Sequence, residues 1–240
     1  MKKNKVFLIS LHKTGTTSLA NFLEKMGYLV TGPDTHLFIQ AINNDYMEID
    51  RFLDRYDAFQ DDPWYMIYPY LYKKFPSAKF IFLERNENKW IKSVQNFYGE
   101  NKYNNAIRRH FYGDANTISN KDTYLKKYRL HEQQVKNYFK SRGNFISISI
   151  SNNEDAIKLQ KFLGEPVRFT SFPHKNKAPK TKLERKEKRL KMLLKGGFGL
   201  KGFIKKQLKF FLGYQNFIKF RTQIRLVNSK TRRFFFKLFN

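Results

Sequence analysis

Residues 12–18 combine a basic side chain, a glycine and a run of hydroxyl residues directly after the apolar segment VFLISL. They are His12, Lys13, Thr14, Gly15, Thr16, Thr17 and Ser18. Where such a turn leads into a helix, backbone amides and the helix dipole converge on one point and can bind an anion. Gly15 lets the backbone approach the anion, the hydroxyls add donors and Lys13 supplies a point charge. The alternative is an ordinary helix start that Thr and Ser side chains cap.

This loop does not have the spacing of a nucleotide-hydrolysing P-loop. That motif needs G-x-x-x-x-G-K followed by Ser or Thr, whereas Lys13 lies two positions before Gly15 and no glycine precedes it. The sequence therefore predicts an anion-binding loop without a Walker motif.

A second basic position follows the apolar segment KFIFL, in which Arg85 comes two residues after the predicted strand ends and Ser93 comes eight residues later. Serine at that spacing lies about two helical turns on, so the pair is suited to a second anion. The alternative is a surface salt bridge from Arg85 to Glu84 or Glu87.

Two adjacent carboxylates, Asp61 and Asp62, precede Pro63 and Trp64. Neighbouring carboxylates beside an aromatic ring can raise one pKa, so either is a candidate general base. The alternative is that the first caps the next helix or holds the loop. His12 is a candidate contact for the reacting group, although a solvated loop histidine is the commoner outcome. For His131 we expect a packed, hydrogen-bonded structural role.

The elements that must position these residues alternate between strands and helices. We expect strands at 6–11, 58–60, 79–83 and 145–150. We expect helices after Gly15, over 64–75 with a bend or an interruption at Pro69, over 88–97, around Tyr124 to Tyr138 and over 154–163. This order predicts an α/β fold, a P-loop-like parallel sheet flanked by helices, with ligands at the carboxyl ends of the strands.

The two basic motifs together resemble those of the sulfotransferases that use 3'-phosphoadenylyl sulfate (PAPS). In that family a Lys-Ser/Thr-Gly-Thr-Thr loop holds the 5'-phosphosulfate, which Lys13 to Thr17 match, and an Arg with a Ser eight residues on binds the 3'-phosphate, which Arg85 and Ser93 match. The bacterial branch is similar over DAFQDDPW, Tyr128 with His131, and the segment from Phe162 to Asn176. The resemblance covers residues 5–177.

The resemblance implies that the sulfuryl group of PAPS moves to a hydroxyl or amino acceptor, for which family analogy offers a polysaccharide, a glycolipid or a small hydroxyl compound; the basic tail favours a cell-envelope glycan or glycolipid. For this reaction we choose Lys13 as the residue that stabilises charge and Asp61 or Asp62 as the candidate base. The resemblance also implies that Lys175 and Lys177 close over the 3'-phosphate. Nothing resembles a metal site, so we predict PAPS as co-substrate and no metal.

Charge divides the chain of 240 residues unevenly, because net +17 of the total +27 falls in residues 178–240. We therefore predict a sulfotransferase domain over 1–177 and a basic, aromatic-rich helical extension over 178–240. Its basic and aromatic residues suit an anionic membrane surface. The alternatives are that its aromatic residues pack on the body or on a second subunit while its lysines are solvated, or that it binds nucleic acid, which is less favoured because no binding module is recognisable. We expect a cytoplasmic or peripheral membrane protein. The absence of cysteine excludes disulfides and thiolate catalysis.

Two other function classes stay open from the residues alone. One is a nucleotide kinase of the wider P-loop class, and the other is a basic membrane- or nucleic-acid-binding protein with a degenerate nucleotide site. Adenosine 3',5'-bisphosphate separates the three, because only the sulfotransferase should prefer it to AMP and ATP.

Overall fold

The computed structural model describes residues 3–99, 106–114 and 116–173. By its internal contacts the chain divides into two units, residues 1–177 and 178–240, of which only the first contains described residues. The expectations for the basic extension, and for Lys175 and Lys177, lie outside the described residues.

Five strands form one sheet in which every hydrogen-bonded neighbour is parallel. The strands are β1 (Val6–Leu8), β2 (Val30–Thr31), β3 (Ala58–Phe59), β4 (Lys79–Leu83) and β5 (Phe145–Ile148), and their order across the sheet is β2-β3-β1-β4-β5. The predicted parallel sheet is confirmed. All three residues of β1 are fully buried. A central parallel strand is covered on both faces, and this explains why β1 is apolar throughout.

The edge strand β2 was not predicted, because two residues are too few to show an alternating pattern. β1 is also shorter than the predicted strand over 6–11. β1 ends at Leu8, where the loop begins. The amide of Ile9 still donates to the carbonyl of Ile81 in β4 at 3.0 Å, which fixes the start of the loop against the sheet.

Eight helices surround this sheet in the described part of the chain. They are α1 (Thr16–Lys25), α2 (Thr35–Ile42), α3 (Met47–Leu53), α4 (Tyr68–Lys74), α5 (Glu87–Tyr98), α6 (Ala106–Tyr112), α7 (Lys121–Phe139) and α8 (Glu154–Phe162).

The predicted helix over 64–75 is present only from Tyr68 to Lys74, and Pro69 neither bends nor interrupts it. α4 begins only at Tyr68, and Pro69 lies in its first turn. Proline has no amide hydrogen to donate, and the first turn of a helix is where that donor has no intrahelical partner, so Pro69 starts the helix instead of bending it. Residues 61–67, which precede α4, form turns instead of helix, so Asp61 and Asp62 lie in a loop.

Alternate residues of the strands bury against the two faces of the sheet. Phe7, Phe59 and Phe80 pack with residues of α2, α3, α4 and α7. Val6, Ala58 and Ile81 pack with residues of α1 and α8 on the other face. A third cluster, formed mainly by α5, α6 and α7, includes Leu11 from the loop after β1. The core therefore fixes the strand ends from which the site loops emerge.

The described residues contain no helix that is long and apolar enough to span a membrane. Over the same part of the chain, no group of three or more His, Asp or Glu side chains is placed to hold a metal ion.

Candidate active site

The loop after β1 reaches α1 through a residue without a side chain. Gly15 is the N-cap of α1, and its carbonyl accepts from the amides of Ser18 at 2.9 Å and Leu19 at 3.1 Å. Thr14 is buried, and its hydroxyl points back to donate to the carbonyl of Leu11 at 2.8 Å. The N-cap position therefore lacks the Ser or Thr side chain of an ordinary capped turn, which favours the anion-binding interpretation of this loop.

Gly15 is required here for two physical reasons. Its φ of +121° lies in a region that side chains with a Cβ rarely adopt, and an added Cβ would lie only 2.8 Å from Cγ1 of Ile150. Ile150 follows β5, so the end of that strand packs directly against the loop. A bare glycine backbone leaves the loop the room that a close approach to an anion needs.

Lys13 has a left-handed backbone, with φ of +65°, and its ammonium Nζ lies 3.8 Å from the centre of the Phe97 ring. Such strained positions for residues other than glycine cluster at functional sites. The ring stabilises the cation by a cation–π contact. Thr16 and Ser18 are buried on α1, and Thr17 is exposed.

Arg85 contacts the same loop from the end of β4. One guanidinium N–H donates to the backbone carbonyl of Lys13, and the carbonyl of Arg85 accepts from the hydroxyl of Tyr128 at 2.6 Å. Burial lowers the pKa of Arg85, but a guanidinium remains charged at neutral pH. A guanidinium has five N–H donors, so the bond to Lys13 leaves others that can bind an anion.

The surface salt bridge that the sequence left open for Arg85 is wrong. Glu84 pairs with Lys136 at 2.9 Å, and Glu87 pairs with Arg129 at 2.6 Å. Both neighbouring carboxylates are therefore committed to α7, and Arg85 faces the loop.

Ser93 lies on α5 between two residues that touch the loop after β1. Trp90, one turn before it, donates from Nε1 to the carbonyl of His12 at 2.9 Å, and Phe97, one turn after it, lies under the ammonium of Lys13. Residues three and four apart share a helix face, so Ser93 is on the face of α5 that meets the loop. The fold thus brings Arg85 into contact with the backbone of Lys13, and Ser93 lies on the helix that packs against the same loop. Trp90 is fully buried in the core.

Asp61 and Asp62 follow β3 on the opposite side of β1. Asp61 is left-handed, with φ of +63°, and its carboxylate interacts with the side chain of Thr16 on α1. Backbone bonds fix the turn: the amide of Trp64 donates to the carbonyl of Asp61, and the amide of Asp34 donates to the carbonyl of Asp62, each at 3.0 Å. Neither aspartate caps α4, whose N-cap is Ile67, so the capping role is wrong, whereas the alternative that Asp61 holds the loop agrees with these bonds.

The two carboxylates are electrostatically unusual. Burial raises the pKa of Asp61 to about 6, with a further rise from the charge of Asp62, while Thr16 and Lys13 oppose the shift. Burial also raises the pKa of Asp62, against a lowering contact from Tyr65. The Oδ1 atom of each is shielded from solvent and makes no hydrogen bond within the described part of the chain. Buried polar atoms without partners and shifted carboxyl pKa values are typical of functional sites.

The two histidines are both buried and neutral. Burial, assisted by the charges of Lys13 and Arg108, lowers the pKa of His12 to about 3, so the expected solvated loop histidine is wrong. Its Nε2 lies 3.4 Å from the hydroxyl of Tyr112. His131 is the packed structural residue predicted: its Nε2 bonds the carbonyl of Ile9 at 2.7 Å, and burial lowers its pKa to about 4.

Sequence reasoning missed an aromatic wall beside the carboxylates. Tyr98 and Tyr112 lie edge-on to His12, with ring centres at 5.4 and 5.7 Å, and Tyr112 stacks on Tyr124 at 3.9 Å. The guanidinium of the buried Arg108 lies 4.1 Å from the centre of the Tyr98 ring. The sequence AIRRHFY of α6 is typical of a basic surface helix. Only the packing of α6 on α7 shows that Arg108 is buried.

The chain is an α/β protein with a parallel sheet and a glycine-containing loop between its central strand and α1. Residues 5–111 match the family model described as "Sulfotransferase domain", a segment that contains the loop, both aspartates, Arg85 and Ser93. This segment of the chain is similar to sulfotransferase domains, whose chemistry is sulfuryl transfer.

Solved structures that resemble the chain include two sulfotransferases. The enzyme from Alicyclobacillus acidocaldarius is 16% identical, with a TM-score of 0.49, over 81% of this chain and 92% of that one. Mouse SULT7A1, solved in complex with PAP, is 16% identical, with a TM-score of 0.41, over 78% of this chain and 63% of that one. No curated protein sequence matches the chain.

Proposed function

We propose that the protein transfers the sulfuryl group of PAPS to a hydroxyl acceptor. The observation that supports this proposal is that Arg85 donates to the carbonyl of Lys13, while α5, the helix that carries Ser93, packs against the same loop. PAPS has a phosphosulfate at one end of a nucleoside and a 3'-phosphate at the other. A site for it needs two separate cationic clamps facing one nucleoside, and these residues are suited to supply both.

The loop would hold the phosphosulfate. The start of α1 after Gly15 and the ammonium of Lys13 offer donors for oxygen atoms that gain charge as the bond from sulfur to the leaving phosphate breaks. Arg85 and Ser93 would bind the 3'-phosphate, and that contact selects PAPS over nucleotides without this group.

Asp61 is our choice for the general base. It contacts Thr16 in the first turn of α1, so it lies beside the loop that would present the sulfuryl group. The burial that raises its pKa to about 6 makes it a better proton acceptor than an ordinary carboxylate, while it stays mainly ionised at neutral pH. In the reaction the acceptor oxygen bonds to sulfur, its proton passes to Asp61, and adenosine 3',5'-bisphosphate leaves.

The acceptor that we propose is a glycan or glycolipid hydroxyl, and the aromatic wall supports it. Tyr98 is partly exposed and its pKa responds to the charges of both carboxylates, so its ring lies near them, and the apolar faces of sugar rings pack on such surfaces. The carboxylates offer oxygen atoms to sugar hydroxyl donors.

Nucleotide binding tests the cofactor proposal directly. Titration calorimetry with adenosine 3',5'-bisphosphate, AMP, and ATP with magnesium should give much tighter binding of the bisphosphate, and PAPS should then be consumed with a suitable glycan acceptor. Preference for ATP with magnesium would instead favour a kinase, and equal weak binding of all three would favour a degenerate site.

A further inference from the structure

An exposed aromatic ring lies beside the loop after β1. Phe97 is in the last turn of α5 and keeps 55% of its surface exposed, whereas Trp90, Ile91 and Val94 on the same helix are buried. Phe97 belongs to none of the three apolar clusters described above. Core packing therefore does not explain the position of this ring.

The contact that Phe97 makes is with the ammonium group of Lys13, whose Nζ lies 3.8 Å from the ring centre. The backbone of the loop is held by other residues. Arg85 donates to the carbonyl of Lys13, and Trp90 donates to the carbonyl of His12 at 2.9 Å. Phe97 thus adds a contact on the side chain of Lys13 to those that fix its backbone.

The fold also orients the ring of Phe97. Tyr98 packs against it with ring centres 4.8 Å apart and an interplanar angle of 87°. Tyr98 in turn lies edge-on to His12, with ring centres 5.4 Å apart. Trp90, two turns earlier on α5, anchors the loop. One helix therefore positions both the ring and the loop that carries Lys13, and no ligand is needed for this arrangement.

An aromatic partner suits a cation that must act on a reacting group. A carboxylate in the same place would neutralise the ammonium, and that ion pair would have to break before another anion could bind. The face of a phenyl ring attracts a cation through its quadrupole and has no net charge, so the ammonium keeps its full charge. Restraining a long flexible side chain in advance also removes an entropy cost from the reaction.

We propose that Phe97 is a positioning residue for sulfuryl transfer: its ring holds the ammonium of Lys13 beside the loop before the leaving phosphate oxygen gains charge. The inference rests on the proposed function, in which Lys13 acts on that oxygen, whereas the contact between the ring and the ammonium exists without substrate. A charge that is already in place stabilises the transition state better than one that must first be brought there. Loss of the ring should therefore lower kcat more than nucleotide affinity.

The test combines turnover of PAPS with an NMR signal of Lys13 in the full chain. Ring currents shift nuclei above a phenyl ring upfield, so with lysine labelled with 13C at Cε we expect an upfield ε-methylene signal that Lys13→Ala removes. Phe97→Leu keeps an apolar side chain without the ring. It should return this signal to the position of exposed lysines and lower kcat about threefold to tenfold, with bisphosphate affinity within about twofold of wild type.

Two further changes at Phe97 separate the ring from the bulk of the side chain. Phe97→Tyr keeps the ring and should restore both the upfield signal and most of the turnover. Incorporation of mono-, di- and trifluorinated phenylalanine at position 97 withdraws electron density from the ring face in steps while its shape is nearly kept. Because the quadrupole attracts the cation, kcat should fall stepwise along this series.

The matched control is Phe162→Leu. The ring of Phe162 lies 4.7 Å from the ammonium of Lys79, at the opposite end of β4 from Arg85. This variant should move the signal of Lys79 and leave the Lys13 signal and kcat unchanged.

An unmoved Lys13 signal in Phe97→Leu, or a moved signal with unchanged kcat, would overturn the inference. If Phe97→Leu does not fold, the fluorinated series decides, and a kcat that does not depend on fluorination rejects the role of the ring. A wild-type protein that binds no bisphosphate would reject the proposed function, whereas an active wild-type enzyme with an equally active Phe97→Leu would reject only the inference.

Discussion

The two strands that flank β1 end in opposite chemistries. On one side β4 leads to Arg85, whose guanidinium bonds the backbone of the loop while the neighbouring glutamates are paired with α7. On the other side β3 leads to Asp61 and Asp62, each with a shielded carboxylate oxygen that makes no hydrogen bond within the described residues. On the cationic side the charged groups already have partners within the protein. On the acidic side the two carboxylate oxygens are left to accept hydrogen bonds from a substrate.

The two sides differ in how their site residues affect the stability of the folded protein. A half-buried arginine with a backbone partner stabilises the loop whether or not a nucleotide is bound. Two buried carboxylates with raised pKa values destabilise the folded protein at neutral pH and are useful only if they accept protons or bind donors. Lys13 lies between the two sides, so it is the residue whose loss should affect the reaction most.

The largest effect should come from Lys13→Ala. Removing a donor to developing charge should reduce sulfuryl transfer from PAPS roughly a hundredfold or more, while thermal stability changes little. The measurement is turnover together with thermal unfolding. Lys126→Ala, an exposed lysine on α7, is the matched control and should behave as wild type. Turnover by Lys13→Ala at the wild-type rate would reject the assignment.

Gly15→Ala should distort the loop before α1. The positive φ strains any residue with a Cβ by roughly 1–3 kcal/mol, and the new methyl group meets Ile150. We expect lower unfolding stability in urea and weaker bisphosphate binding. Gly143→Ala is the control, because a Cβ there meets nothing within 4 Å.

The double variant Gly15→Ala with Ile150→Ala separates the two causes. If the steric contact dominates, bisphosphate affinity should partly recover. If it does not recover, backbone conformation is the stronger requirement.

On the cationic side, Arg85→Ala should weaken bisphosphate binding by roughly 1.5–3 kcal/mol, the range for a hydrogen bond to a charged group. Because Arg85 also bonds the carbonyl of Lys13, adenosine 5'-phosphosulfate should lose affinity as well, but less. Ser93→Ala should weaken only the bisphosphate. Equal calorimetric losses for both nucleotides in Arg85→Ala would assign Arg85 to structure rather than to recognition.

On the acidic side, the smallest effect is a pH dependence of stability. The folded pKa of Asp61, about 6, lies above its unfolded value near 4, so the folded state binds more protons between these pH values and loses stability as pH rises through them. Asp61→Asn should therefore exceed wild type by on the order of 1 kcal/mol above pH 6 and lose that advantage below about pH 4. Urea unfolding from pH 4 to 7.5 measures the difference, and a pH-independent difference would contradict a raised pKa.

The sequence determined the central features of this protein because they are local. Apolar runs set four of the five strands, the small-residue turn set the anion loop, and the spacing from Arg85 to Ser93 equals about two turns of one helix. Pro69 misled the same reasoning, because proline marks either a bend or a start and only the packing of α4 decides which.

Only the tertiary structure decided what depends on neighbours distant in sequence. The strand order placed Arg85 and the aspartates on opposite sides of Lys13, and it committed Glu84 and Glu87 to α7. Burial of His12 and of the Tyr65 hydroxyl arises from helices about 50 to 100 residues further along the chain, and a pKa follows from that burial. Desolvation depends on the whole packed core, so no local spacing can predict it.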